Sequence, residues 1–152
     1  SAMSKPFILS GVLLWYHKMY MSTEPSIFTR IINREIPAEI IYEDEICIVI
    51  PDKFPSMAGQ LVVIPKEQAA YLADLDDVTY SHLMRVVKKA MIALDRGLGT
   101  VRTCMVIEGF ELPHVHVRLY PCLTPELVLD GRYEATNEDL AVLATTLRPY
   151  FN

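Results

Sequence analysis

The stretch His114-Val115-His116-Val117-Arg118-Leu119-Tyr120-Pro121 decides how this sequence is read. In an extended strand alternate residues share a face, so Val115, Val117 and Leu119 turn to one side and read as core. His114, His116, Arg118 and Tyr120 turn to the other side. Two imidazoles and a permanent guanidinium then follow one another over about 13 Å, at ~3.3 Å per residue from His114 to Arg118. Imidazole carries protons near neutrality and can attack phosphorus, while arginine grips phosphate oxygens with a planar fork. Three readings of the row stand side by side. It is a hydrogen-bonded or solvent-facing pair of imidazoles, two ligands of a zinc ion, or a seat for an anion such as a phosphate chain. A metal has no third ligand nearby in the sequence, and the fixed charge of Arg118 opposes a divalent ion.

Working outward, the elements around this stretch alternate between strand and helix patterns. Upstream, three β-rich runs cover residues 40–42, 46–50 and 61–64, and a fourth covers 101–107. A proline-stiffened loop from Pro51 through Asp52 and Pro55 to Gly59 separates two of them. Leu83, Val86, Val87, Ala90, Met91 and Leu94 follow the helical period, which predicts a long helix over 78–95, capped by Asp76 or Asp77 and stopped by Gly97 and Gly99. Ile27, Phe28, Ile31 and Ile32 predict a short amphipathic helix capped by Ser26. Thr136 with Asp139 predicts a last helix over 137–147, and Pro149 is expected to push Arg148 out of helical dihedrals. Antiparallel strands, one long helix and short terminal helices define an α+β fold with a sheet of about five strands.

The 152 residues suit one domain, expected over 22–152. Ser1-Ala2 ahead of Met3 reads as an expression scar, and residues 1–21 as that scar plus an apolar extension. Its apolar run, residues 6–16, is about half of the ~20 residues that span a bilayer, so no membrane anchor is expected. It reads either as an annexed segment, with Met21 a second possible start, or as an added element packed on the domain; a docking site for a partner is a third reading. A net charge of −5 leaves no electrostatic footprint for a nucleic-acid polymer. Three cysteines, Cys47, Cys104 and Cys122, have neither an even count nor C-x-x-C spacing, which points to free thiols in a reducing, cytoplasmic compartment.

Residues 26–121 resemble the histidine triad (HIT) family. The resemblance rests on Ile27-Phe28, Ile31-Ile32, Glu35-Ile36-Pro37, Ile41-Tyr42-Glu43-Asp44 and Asp52. It rests further on Gly59-Gln60-Leu61-Val62-Val63-Ile64-Pro65-Lys66, which is similar to the family's G-H-x-L-V-I-P-K, and on the opening stretch, which is similar to H-x-H-x-H followed by apolar residues. The resemblance implies a HIT-like fold and a homodimer that binds a nucleoside phosphate, with no metal and no cofactor. It implies that His116 is a nucleophile forming a covalent nucleotidyl intermediate, oriented by the backbone carbonyl of His114. Asp52 would hold the ribose hydroxyls, and Ile27, Phe28, Ile31 and Ile50 would line the base pocket.

Two family histidines are replaced. Gln60 stands for the histidine of G-H-x-L, and Arg118 for the third of the triad; both are expected at the phosphate. Arginine holds its proton at every relevant pH, so Arg118 supplies charge but no general acid. The segment Glu108-Gly109-Phe110-Glu111-Leu112-Pro113 is short and lacks the polar cluster many relatives carry, resembling a compact bacterial subgroup. Two functions therefore compete: a nucleotide hydrolase or nucleotidyl transferase, and a nucleotide-binding protein with little or no turnover.

Overall fold

A computed structural model describes residues 11–152. The first part of the apolar extension, residues 1–10, lies outside the described residues. The chain runs α1 (Gly11–Tyr20), α2 (Ile27–Ile32), β1 (Tyr42–Glu43), β2 (Cys47–Pro51), β3 (Leu61–Pro65), α3 (Asp77–Leu98), β4 (Arg102–Val106), β5 (Val117–Cys122) and α4 (Asn137–Leu147), with 3-10 turns at Leu72–Asp74 and Arg148–Phe151. The strands form one antiparallel sheet in the order β1-β2-β3-β5-β4. The expected α+β architecture is the observed one.

Every residue of β2 and β3 is buried, which explains why these strands read as continuous apolar runs rather than alternating ones. Cys47, Val49, Leu61, Val63, Val117 and Leu119 meet Leu83, Val86, Val87, Ala90 and Leu94 of α3, with Leu147 and Phe151 closing the layer. On the opposite face Ile48, Ile50, Val62 and Ile64 receive Phe28 and Ile31 of the six-residue α2. A helix that short has no independent stability. Burial of its two side chains, at about 1.5–3 kcal/mol each, holds it in place. The site therefore lies on the thin α2 side, with α3 as the buttress behind the sheet.

The caps agree with the sequence. Ser26 accepts from the Thr29 amide, Asp76 from Thr79, and Thr136 from Asp139. Two local expectations, at Gly97 and Arg148, need correction, while Gly99 acts as expected. Gly97 does not stop the long helix but lies inside it; a Cβ there would stand 2.7 Å from Leu147 Cδ2, so the glycine allows α3 and α4 to approach. Gly99, at φ +69°, is the left-handed cap that ends α3. Arg148 keeps helical dihedrals despite Pro149, because the chain tightens into the 3-10 turn instead of leaving the helix.

The strand expected from His114 begins only at Val117. Ahead of it, the Val115 amide donates to Ala69 O at 2.7 Å, outside the ladder. The side-chain alternation survives this loss of pairing: Val115, Val117 and Leu119 are core, and the histidines face α2.

The described part of the extension folds as α1. Tyr16 packs against Phe110 with ring centroids 5.8 Å apart and planes tilted by 54°, and the Tyr20 hydroxyl donates to Asp74. A cleft of about 740 Å³ separates the helix from Pro25, Ser26 and Pro113. No helix among the described residues is long and apolar enough to cross a membrane.

Gly59 opens β3 at φ +88°, and a Cβ there would meet Leu98 Cδ1 at 2.7 Å and Pro121 Cγ at 3.2 Å. Gly59→Ala combines a disfavoured backbone with a clash between β5 and α3. It is expected to lower unfolding free energy by about 1–3 kcal/mol, read from urea denaturation.

Candidate active site

The two histidines are fixed by different means. His114 is fully buried, with its ring edge-on to Phe28 at 5.7 Å. Its Nε2 lies 2.7 Å from the carbonyl of Pro65 at the end of β3, and its Nδ1 lies 2.6 Å from Ser26 Oγ. A carbonyl only accepts, so Nε2 carries the proton and donates. In the neutral ring Nδ1 then accepts from the Ser26 hydroxyl. Ser26 thus caps α2 through its oxygen and ties that cap to His114 through its proton.

His116 is 4% exposed and packs at 5.0 Å against the same Phe28 ring. Its Nδ1 donates to the His114 carbonyl at 2.8 Å. Nε2 has no hydrogen-bond partner among the described residues, so in the neutral ring it presents a free lone pair. Burial pushes the imidazole below its ordinary 6.5, and the charge of Arg118 adds to the effect; the His114 carbonyl, Asp52 and Glu108 oppose it. His114 is likewise lowered by burial, with the Pro65 hydrogen bond opposing. At neutral pH both rings are uncharged.

Asp52 follows β2 and is buried. Its Oδ1 accepts from the Phe54 amide and its Oδ2 from the Gln60 side chain at 2.5 Å. Gln60, 2% exposed, spends its other end on the amide and hydroxyl of Ser56. The glutamine therefore stands behind Asp52 and fastens it to the loop. Ile50, Phe28 and Ile31 surround this face of the sheet, whereas Ile27 is 46% exposed.

Arg118 lies on β5 with 11% of its side chain exposed. Three carboxylates surround it: Asp52 at 3.9 Å, Glu108 at 3.6 Å and Glu111 at 3.6 Å. These separations exceed hydrogen-bond length, so the guanidinium is held by charge, and its side-chain N–H groups have no hydrogen-bond acceptor among the described residues. Arg132 donates to both Glu111 oxygens at 3.2 Å, which holds that carboxyl below the ordinary range, and to the Phe54 carbonyl at 2.9 Å.

The structure thus brings His114, His116, Arg118, Asp52, Gln60, Phe28, Ile31 and Ile50 to one face. Sequence reasoning missed Arg132 altogether and saw Ser26 only as a helix cap. Glu108 and Glu111 drew notice only for the polar cluster their segment lacks. Arg132 has no periodicity or motif to mark it, since it sits in an irregular segment whose partners are 21 and 78 residues away.

One group of mixed donors lies elsewhere among the described residues: Asp44, Cys47 and His82, with ligand atoms within 4.8 Å of one another. Asp44 already accepts from Tyr42, His82 and the amides of Ile46 and Cys47. Burial alone would raise its carboxyl, yet these bonds outweigh it and hold the group at about 2. Burial pushes the Cys47 thiol up to about 12, so it keeps its proton. The group ties the β1–β2 turn to α3.

An antiparallel α+β protein with a buried, neutral imidazole oriented by the carbonyl two residues before it defines a class of imidazole-centred sites. The comparisons with known proteins specify it. The HIT domain matches residues 33–121, and the chain belongs to the HIT family. An uncharacterised HIT-like protein of Synechococcus elongatus is 35% identical over 102 residues, covering 64% of this chain and 90% of its own. A structure described as a hypothetical histidine triad nucleotide-binding protein from Sulfolobus tokodaii superposes with a TM-score of 0.73 at 26% identity, covering 82% of this chain and 90% of its own. A HIT family hydrolase from Clostridium thermocellum superposes with a TM-score of 0.59 at 25% identity, covering 72% of this chain and all of its own.

The lowered imidazoles have a measurable consequence. The unfolded chain takes up protons near 6.5, whereas the folded one resists, so stability present above 6.5 is lost as pH falls through it. The urea midpoint is expected to drop between about pH 7.5 and pH 5.5. His116→Asn, which keeps a donor for the His114 carbonyl but does not titrate, is expected to show a smaller drop.

Proposed function

We propose that this chain is a nucleotide hydrolase or nucleotidyl transferase that acts at the α-phosphate of a nucleoside phosphate or phosphoramidate through His116. The observation that carries the reading is the His116 ring itself. Its Nδ1–H is committed to the His114 carbonyl and its Nε2 is bare and uncharged. Such a nitrogen attacks without first losing a proton. In the step proposed, a bond forms from Nε2 to the α-phosphorus while the bond to the leaving group breaks and that group departs with the electron pair. Water then cleaves the nucleotidyl-His116 bond, or an acceptor takes the nucleotidyl group. Arg118 offers unspent N–H donors to the phosphate oxygens as charge builds on them.

The nucleotide-binding and hydrolase descriptions of the Sulfolobus and Clostridium proteins support the assignment. Asp52 is proposed to hold the ribose, with Gln60 acting through Asp52 rather than on the phosphate. Phe28, Ile31 and Ile50, with Ile27 at the open rim, are proposed to hold the base. Three free thiols among the described residues support a reducing, cytoplasmic setting. A homodimer is supported by the edge strand β4, where Met105 and the adjacent Val101 are exposed.

A second reading, nucleotide binding with little turnover, is favoured by Arg118 itself. Where the family carries a histidine able to give a proton to the leaving group, this chain has a group that cannot.

Incubation with an adenosine phosphoramidate separates the two readings. An acid-labile adenylyl adduct in the intact mass, absent from His116→Ala, is the expected outcome; tight binding with neither adduct nor product leaves the second reading. For Arg118→His, nucleotide affinity is expected to fall about tenfold, with a shallower salt dependence. Unchanged affinity at every salt concentration would falsify the phosphate role of Arg118.

A further inference from the structure

The phosphate end of the site holds more negative charge than an anion seat requires. Asp52, Glu108 and Glu111 face Arg118, and the second guanidinium present, Arg132, is engaged by Glu111. Three carboxylates against two guanidiniums leave one negative charge in excess around an uncharged His116. The two glutamates differ from Asp52 in a way that matters. Asp52 is buried and bonded on both oxygens, so it is a fixed part of the floor. Glu108 and Glu111 have side chains 40% and 59% exposed and stand on the segment between β4 and β5, on the solvent side of Arg118.

We propose, resting on the nucleotide reading above, that Glu108 and Glu111 are specificity-determining residues that restrict this site to nucleosides bearing a single phosphate, with an uncharged or cationic group beyond it, and reject polyphosphates. One phosphate brings enough negative charge to replace a glutamate opposite Arg118, because the N–H donors are unspent and the present pairs sit beyond hydrogen-bond length. Among the described residues, a second and a third phosphate find no comparable cation beside Arg118. Arg132 is pinned between Glu111 and the Phe54 carbonyl, and Lys53 is more than half exposed beside Glu134, so its charge is largely screened by solvent. These phosphates meet the displaced glutamates instead, and like charges at that exposed rim repel, more so at low salt. An ammonium or neutral leaving group meets no such penalty, and an ammonium gains from the same carboxylates.

The test is equilibrium binding of the mono-, di- and triphosphate of one nucleoside, without divalent cations, to the parent chain and to Glu108→Gln/Glu111→Gln. The double variant keeps side-chain size and hydrogen-bonding capacity while removing two charges, and its melting curve verifies that it is folded. The parent is expected to bind the monophosphate about tenfold or more tightly than the triphosphate, and the preference to shrink at high salt. In the double variant both ligands are expected to gain, since neither has to displace a glutamate charge from Arg118, and the triphosphate to gain about tenfold more than the monophosphate. If the parent binds triphosphate as tightly as monophosphate, or if the ratio is the same in the variant, the glutamates do not set specificity and nucleotide binding by the site still stands. If no nucleotide binds either chain, the nucleotide reading fails and this inference fails with it.

Discussion

The imidazole of His114 sits where three parts of the molecule meet. Its Nε2 donates to the carbonyl of Pro65, two residues beyond the last β3–β5 pair, Val63 with Val117. Its Nδ1 takes the proton of Ser26, whose oxygen caps α2. Its backbone carbonyl receives the ring of His116. One residue thus extends the contact between β3 and the β5 segment, anchors the helix over the site and sets the tautomer of His116. A buried ring with both nitrogens satisfied has no freedom left, and that rigidity passes to His116 through a single peptide unit.

The sheet explains why so little structure suffices on the site side. α3 and the turn after α4 bury one face almost completely, and this layer carries the bulk of the apolar packing. The other face needs only Phe28 and Ile31 to become a cover. Phe28 then serves twice, as part of this cover and as the ring against which both imidazoles rest. Burial under an aromatic ring keeps both rings neutral, since a charged imidazole loses its hydration there without gaining an adjacent counter-ion bond.

The charge arrangement is the feature that sets this chain apart from the pattern its sequence resembles. A guanidinium in place of a histidine brings a permanent charge to a half-enclosed face, and such a charge has to be compensated. Asp52 from the end of β2 and two glutamates from the segment before His114 provide the compensation, and Arg132 in turn balances Glu111. The exchange of one side chain is thus accommodated by a local network rather than by a repacked core. Gln60 belongs to that network through Asp52, whose Oδ2 accepts from its side-chain amide.

Much of this was legible in the residues. The caps at Ser26, Asp76 and Thr136 are local hydrogen bonds, and helical or alternating apolar spacing reports which side faces the core, so α2, α3, α4 and the strand cores follow from short-range chemistry. The alternation at 115–119 placed His114, His116 and Arg118 on one face even though pairing begins only at Val117, because side-chain direction follows the local backbone rather than the ladder. Gly97 was misjudged because its role is a contact with Leu147, fifty residues on, which no local signal reports. The same holds at the site. His116 as the central residue was readable from a strand motif and a family resemblance. The tautomer of His114, the position of Gln60 behind Asp52, the hydroxyl of Ser26 on a ring 88 residues away and the arrival of Arg132 beside Glu111 were decided by tertiary structure alone. Each depends on a distance between segments remote in the chain, and sequence spacing constrains such distances only through the fold.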